Sequence, residues 1–218
     1  MMPRTQLLPA FAILIFLASG CAHQSSPTVV PAANVFQSYD NKLSGKYAVF
    51  VQSGMWNKRV KPSSYMCSVH VFPVNADFGF QESVFQTIAG VVEQAELVRQ
   101  ALSPEQLHEN GYKAQIAVHA GEFRPEIAFV SHFFTASANA TARATIHMVA
   151  QGPEGPIFQT SVTADGFAEG NAGGLCGGGA DVLGKAVGKM SGQIMERIGE
   201  RVANSAKLRN IGESSEAL

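Results

Sequence analysis

The chain has 218 residues, of which 46% are apolar and 15% are charged, and its formal net charge is −1. This composition supports a packed core and excludes a wholly disordered protein. No long run of Lys or Arg is present, so no basic patch indicates a nucleic-acid partner.

The first 20 residues have the layout of a secretory signal peptide. Arg4 precedes an apolar run of 11 residues, Leu7–Leu17, and small residues follow at 18–20. A positive start, an apolar centre and a small-residue exit are typical of export signals. The run is too short to span a bilayer, which needs roughly 20 helical residues. Removal of residues 1–20 would leave 198 residues, enough for one domain with a substantial core.

Cys21 directly follows the small residues. This junction resembles the lipobox of bacterial lipoproteins, in which the signal is cut before a cysteine that then carries lipid. The resemblance implies acylation of Cys21, with palmitate among the chains, and several chains on one residue anchor a protein stably. Ala22, rather than Asp, follows the cysteine. In enteric-type Gram-negative bacteria this pattern implies the outer membrane, with the domain facing the periplasm. The alternative is an ordinary cleaved signal with a coincidental cysteine.

Cys67 and Cys176 are the two other cysteines. In an oxidising compartment, two leftover cysteines most naturally pair. Their bridge would close a loop of about 109 residues and contribute up to roughly 4–5 kcal/mol in the chain-entropy model. The alternative is two separate buried thiols. No CxxC spacing supports a structural zinc site.

Apolar periodicity and turn residues predict the elements in chain order. Residues 21–45 carry the lipidated cysteine and a flexible tether, and residues 206–218 form a flexible tail. Between them the pattern predicts strands at 46–52 and 65–74, a long helix at about 80–101, a short helical start at Ser103, strands at 113–119, 126–135, 139–150 and 157–168, a glycine-rich loop at 170–179, and a second long helix at about 180–205.

This order predicts one α+β domain over residues 46–205. Its expected form is a two-layer sandwich: a largely antiparallel sheet of about five to six strands, covered on one face by two long amphipathic helices. The turn at 152–156 contains two glycines and two prolines. It predicts an antiparallel hairpin between the strands at 139–150 and 157–168.

Glycines recur every four residues on the second predicted helix, at Gly184, Gly188 and Gly192. Each costs about 1 kcal/mol relative to alanine in a helix interior, so the spacing indicates a close approach. The neighbour is either the domain's own sheet or helix, or a partner protein. Lys185 and Lys189 lie in the same stretch and make membrane insertion costly.

Trp56 lies in a predicted loop close to Lys58, Arg59 and Lys61. An exposed tryptophan beside basic residues would suit a contact with a partner or a membrane surface. The alternative is that Trp56 caps the edge of the core.

No motif indicates catalysis. The glycine-rich loop lacks the GK[ST] ending of a phosphate loop, because alanine follows Gly184-Lys185, so no nucleotide is expected. Neither GxSxG nor HExxH occurs. Four histidines lie on predicted strands and would form a metal site only if several faced one side of a sheet; they are His70, His119, His132 and His147. The sequence therefore predicts no enzyme, no cofactor and no resident metal.

A lipobox, a short tether and a small domain ending in a long amphipathic helix together resemble small Gram-negative outer-membrane lipoproteins of the YajG and LptE type. Only the signal and Cys21 match residue by residue. The resemblance implies a scaffolding or assembly role with an envelope protein as partner. The alternatives are a periplasmic ligand- or metal-binding lipoprotein and a small envelope hydrolase.

Overall fold

The computed structural model describes residues 22–52, 54–133 and 135–211. The signal peptide, Cys21 and residues 212–218 lie outside the described residues. The strands are β1 (Leu43–Gln52), β2 (Asn57–Val60), β3 (Phe72–Asn75), β4 (Val92–Val98), β5 (Ala114–Ser131), β6 (Ala136–Gly152) and β7 (Gly155–Asn171). The helices are α1 (Asp77–Val91), α2 (Pro104–Glu109), α3 (Gly178–Ala203) and α4 (Ala206–Asn210), with a 3-10 turn at Gly174–Cys176.

The main sheet has five strands in the order β4-β1-β5-β6-β7. β1 is parallel to both of its neighbours, β4 and β5, whereas β5, β6 and β7 are antiparallel. β2 and β3 form a separate antiparallel pair. The α+β class is confirmed, but the main sheet is mixed rather than largely antiparallel. Since α1 has only 15 residues, the predicted cover of one face by two long helices is not confirmed.

The first helix ends at Val91 and not near residue 101 as predicted, because the chain continues as the edge strand β4. Ala95 and Val98 are spaced so that they could extend the apolar stripe of a helix. In a strand, residues three apart point to opposite faces. Ala95 accordingly packs against the main core and Val98 against a small cluster around Ala48 and Leu107.

The predicted hairpin is confirmed. β6 and β7 pair from Ser137 opposite Asn171 to Gly152 opposite Gly155. The predicted strands at 113–119 and 126–135 are one continuous strand, β5, with an irregularity between Ala120 and Phe123. Of the strand predicted at 65–74, only the last part is β3; the preceding residues form a loop. At the C-terminus, α4 buries Leu208, so the start of the predicted tail is ordered.

Trp56 belongs to the core. Its side chain is 0% exposed and stacks between Phe80 and Phe123, with ring centroids 4.1 and 5.2 Å away. The backbone N–H of Trp56 donates a hydrogen bond to the Asp77 carboxylate at 2.8 Å. The exposed tryptophan that a partner contact would require is therefore not present, and the core-edge interpretation describes this residue.

The long helix α3 lies very close to the sheet at one glycine. A Cβ on Gly166 of β7 would overlap the carbonyl oxygen of Ala186 and lie 2.7 Å from the backbone nitrogen of Met190. Any side chain there would push helix and strand apart. Within the described residues, no helix combines the length and hydropathy of a membrane span.

Candidate functional site

The segment from residue 22 to residue 37 lies between α1 and α3. Ser83 of α1 donates a hydrogen bond to the carbonyl of Val29 at 3.1 Å, and Thr87 accepts one from the N–H of Ala32 at 3.0 Å. At the far end of α3, Asn204 donates to the carbonyl of Phe36 at 2.9 Å. The residues predicted as a flexible tether are thus packed on the domain over this stretch.

The spacing of the apolar contacts explains why this packing is not evident in the sequence. Val29, Ala32 and Val35 pack against the core at intervals of three residues. That interval matches neither the alternation of a strand nor the 3.6-residue period of a helix. Most of the segment's hydrogen bonds use its backbone groups, which leave no residue pattern.

The glycines of α3 accept this N-terminal segment. A Cβ on Gly188 would lie 3.0 Å from the carbonyl oxygen of Thr28, and one on Gly184 would lie 3.4 Å from the Ser25 hydroxyl oxygen. A Cβ on Gly192 would meet no atom within 4 Å. The close approach indicated by the glycine spacing is therefore made, at two of the three positions, by the chain's own N-terminus.

Substitution of these glycines tests that contact. Gly192→Ala is expected to stabilise the protein by about 1 kcal/mol, since alanine favours the helix and the site is open. Gly188→Ala gains the same propensity but presses on the Thr28 carbonyl, so we expect little or no net stabilisation and faster hydrogen exchange near Thr28. Denaturant unfolding and exchange mass spectrometry measure both effects. Equal stabilisation by the two variants, without faster exchange, would contradict the contact.

The N-terminal segment starts beside β3. Ala22 and Ser25 form parallel bridges with Val71 and Val74, and the N–H of His23 donates to the carbonyl of Val71 at 3.0 Å. Cys21 itself lies outside the described residues. It is bonded to Ala22, the residue that forms the bridge to Val71. A lipid on Cys21 would therefore leave the domain at this point.

Cys67 and Cys176 form a disulfide with their Cα atoms 6.1 Å apart and 109 positions apart in the chain. The pairing predicted from the sequence is present. It joins the loop before β3 to the glycine-rich turn before α3. Both cysteines have positive φ angles, 64° and 65°, which places them in tight, irregular turns rather than in the strand predicted around Cys67.

Three loops meet at this end of the domain, which we call the anchor end: residues 61–70, 131–133 and 171–177. The disulfide joins the first loop to the third. The Ser64 hydroxyl accepts from the N–H of Phe129 on β5 at 2.8 Å, and the N–H of Ala172 donates to the carbonyl of Ala136 at 2.9 Å. The first and third loops are thus bonded to each other, and each is also bonded to a strand residue on one side of the 131–133 loop.

Large apolar side chains are exposed on all three loops of the anchor end. Tyr65 is 98% exposed, Val69 77%, Phe133 92% and Leu175 81%. Single exposed apolar residues are ordinary on protein surfaces, but grouped ones mark interaction sites. No sequence pattern indicates this group, because its members come from three separated parts of the chain and follow no period.

The four histidines predicted on strands do not meet at one place. His119 and His147 lie opposite each other on β5 and β6. His132 is in the β5–β6 turn. His70 lies at the anchor end, where its Nδ1 is 3.1 Å from Nε2 of His23. Among the described residues, no group of three or more His, Cys, Asp or Glu could hold a metal ion.

A small titratable cluster joins β1, β4 and the start of β5. Glu96 accepts a hydrogen bond from the Tyr112 hydroxyl at 2.6 Å and pairs with Lys46 at 2.9 Å. The bond from Tyr112, followed by that from Lys46, holds the pKa of Glu96 below its usual value. Burial, and then the bond to Glu96, raises the pKa of Tyr112. A carboxyl group that stays ionised is suited to pairing and not to donating a proton.

An open groove of about 660 Å³ lies between the N-terminal segment and α3. Its lining includes Gln24, Ser26 and Thr28 on one side and Asp181 and Lys185 on the other. The two charged residues pair with each other at 2.7 Å. The groove is an open trough along the seam where the segment meets the helix.

The sequence matches no family model and no curated protein. Several solved structures are similar to it in backbone structure. A DUF330 protein from Xanthomonas campestris is 10% identical with a TM-score of 0.53, and the match covers 89% of this chain and 99% of that one. A Helicobacter pylori protein described as a neuraminyllactose-binding hemagglutinin homolog is 7% identical with a TM-score of 0.47, covering 87% and 100%. A minor lipoprotein from Acinetobacter baumannii is 10% identical with a TM-score of 0.36, covering 73% and 90%.

Proposed function

We propose that this chain is a lipoprotein of the Gram-negative envelope. It is held in the outer membrane by acyl chains on Cys21, its domain faces the periplasm, and its role is to bind another envelope protein without catalysis. The observation that carries the proposal is the position of the lipobox cysteine. Cys21 directly follows the predicted signal peptide of residues 1–20 and is bonded to Ala22, the first residue of a segment that is built into the domain.

The packing of the N-terminal segment favours a lipid anchor on Cys21 over an ordinary cleaved signal that happens to be followed by a cysteine. If Cys21 were merely the first residue of a secreted protein, nothing would require the residues after it to be tied down, and chain termini usually fray. Here Ser25 is fully buried, and the segment keeps backbone hydrogen bonds from His23 to Phe36. A lipid attached at Cys21 would be coupled firmly to the whole domain.

The polar groups favour binding over catalysis. The Glu96 cluster links strands and keeps its carboxylate ionised, and each strand histidine has its own local partner, such as Gln52 for His119 at 2.7 Å. Of the four positions predicted to contact a partner, Gly192 alone has open space where a side chain would be. We keep it as the partner contact in this proposal.

The test is intact mass and partner capture on the protein purified from its own membranes without reductant. The expected mass corresponds to cleavage before Cys21, added acyl chains and one internal disulfide. Envelope proteins are expected to co-purify, and their amount should fall for Gly192→Phe but not for Gly90→Phe, a second helical glycine with open space around it. An unmodified Cys21, or a protein without companions, would overturn the proposal.

A further inference from the structure

We propose that the anchor end is a membrane-docking surface, on which Tyr65, Val69, Phe133 and Leu175 insert into the interface of the bilayer that holds the lipid. This inference rests on the proposed acylation of Cys21. It adds that the domain lies directly on the membrane in one orientation, with α3 leading away from it.

Very little chain separates a lipid on Cys21 from the folded domain. Ala22 is already bridged to Val71 of the domain, so a single peptide link separates it from the acylated residue. One residue spans at most about 3.6 Å, which is far less than the headgroup region of a bilayer, about 5–8 Å per leaflet by the difference between the total and hydrocarbon thicknesses. Acyl chains on Cys21 that enter the hydrocarbon would therefore hold the anchor end at or close to the headgroups.

The chemistry of the exposed side chains supports docking. Three of the four are purely apolar, and the fourth, Tyr65, has an apolar ring with a hydroxyl group. Rings of this kind are enriched where membrane meets water, because one end is apolar and the other can be hydrated. All four are more than three-quarters exposed, so insertion would remove a large apolar area from water.

The charge of the anchor end also favours contact with a membrane surface. The three loops of the anchor end, residues 61–70, 131–133 and 171–177, contain no Asp or Glu, and they carry Lys61, His70 and His132. An acidic residue here would be repelled by lipid phosphates, whereas a lysine is attracted to them. The nearest acid on α3, Asp181 in its first turn, is paired with Lys185 at 2.7 Å.

The fold also provides an internal reference point. α3 has 26 residues and is therefore about 39 Å long. It starts beside the disulfide and ends near Asn204, which holds the backbone of Phe36. Phe36 is 69% exposed, so it is an exposed aromatic residue that would stand far above a membrane at the anchor end.

The experiment uses the acylated full-length protein in liposomes that contain phospholipids brominated near the top of the acyl chain. Bromine quenches tryptophan emission only at contact. For each protein, emission in these liposomes is compared with emission in liposomes of the same composition without bromine. Bromination is expected to lower the emission of Tyr65→Trp, whereas the emission of Phe36→Trp and of wild type, whose Trp56 is buried, should not change. Phe133→Trp repeats the measurement at the anchor end and guards against a local disturbance at residue 65.

Intact mass of each preparation separates the two proposals. If Cys21 is acylated and the protein is in the liposomes, but neither Tyr65→Trp nor Phe133→Trp is quenched, docking is wrong and the lipoprotein assignment stands. Quenching of Phe36→Trp to the same degree would also overturn docking, since it would show no fixed orientation. If Cys21 carries no lipid, both proposals fall together.

Discussion

Cys21→Ser is expected to move the protein from the membrane fraction to the soluble fraction. Acyl chains contribute about 0.8 kcal/mol per buried CH₂, so several chains on one residue hold a protein stably. No helix among the described residues could take over as a membrane span. The four exposed side chains of the anchor end orient the domain but give only a weak, reversible attachment when the lipid is missing.

The measurement is fractionation of cells that express each variant, followed by intact mass. The matched control is Cys67→Ser/Cys176→Ser, which alters cysteines but leaves Cys21 in place and should stay with the membrane. If Cys21→Ser remained membrane-bound after a high-salt wash, and its intact mass showed that residues 1–20 had been removed, the anchor would lie elsewhere. The prediction at Cys21, and with it the docking surface, would then be wrong.

Loss of the disulfide is expected to have the largest effect on stability. The bond closes a loop of 109 residues, and the chain-entropy model assigns about 4–5 kcal/mol to loops of this length. Typical domains are stable by about 5–15 kcal/mol in total. Cys67→Ser/Cys176→Ser should therefore unfold at a much lower denaturant concentration than wild type, because its unfolded chain is less restricted.

Equilibrium unfolding in a Cys21→Ser background measures this difference without interference from lipid. Replacing both cysteines avoids a free thiol that could form intermolecular bridges. Reduction of the wild-type bond should lower stability by a similar amount, which separates the effect of the bond from that of the serines. An unchanged unfolding midpoint would show that the other contacts of the anchor end already hold the two loops in place.

The disulfide loss also has a local consequence at the anchor end. The loop at 61–70 would then be held mainly by bonds such as those of Ser63 and Ser64 to β5. Its exposed residues, Tyr65 and Val69, would lose their fixed position relative to Leu175. A reduced protein should therefore keep its lipid anchor but dock less uniformly on the membrane.

Local patterns in the sequence were sufficient for several elements. The hairpin of β6 and β7 was predicted because residues 139–150 alternate between apolar and polar side chains and are followed by a glycine- and proline-rich turn. α3 was predicted from a 3.6-residue apolar stripe, and its start and end differ from the prediction by only about two residues. Cys67 and Cys176 could be paired because export leaves two cysteines in an oxidising compartment. The lipid anchor is a further prediction, and it depends only on the local sequence pattern of residues 1–21.

Only the tertiary structure decided the features that depend on distant parts of the chain. β4 is a strand because it pairs with β1 at the edge of the sheet. The apolar residues of β4 nevertheless continue the spacing of the preceding helix. Trp56 became a core residue because Phe80 and Phe123 lie on either side of it. Gly166 is required where α3 meets β7, and the N-terminal segment lies between two helices that follow it by 40 residues or more. The anchor end likewise brings together residues from three loops. Periodicity reports only which face of a local element is apolar, so contacts between separated segments appear only after the chain has folded.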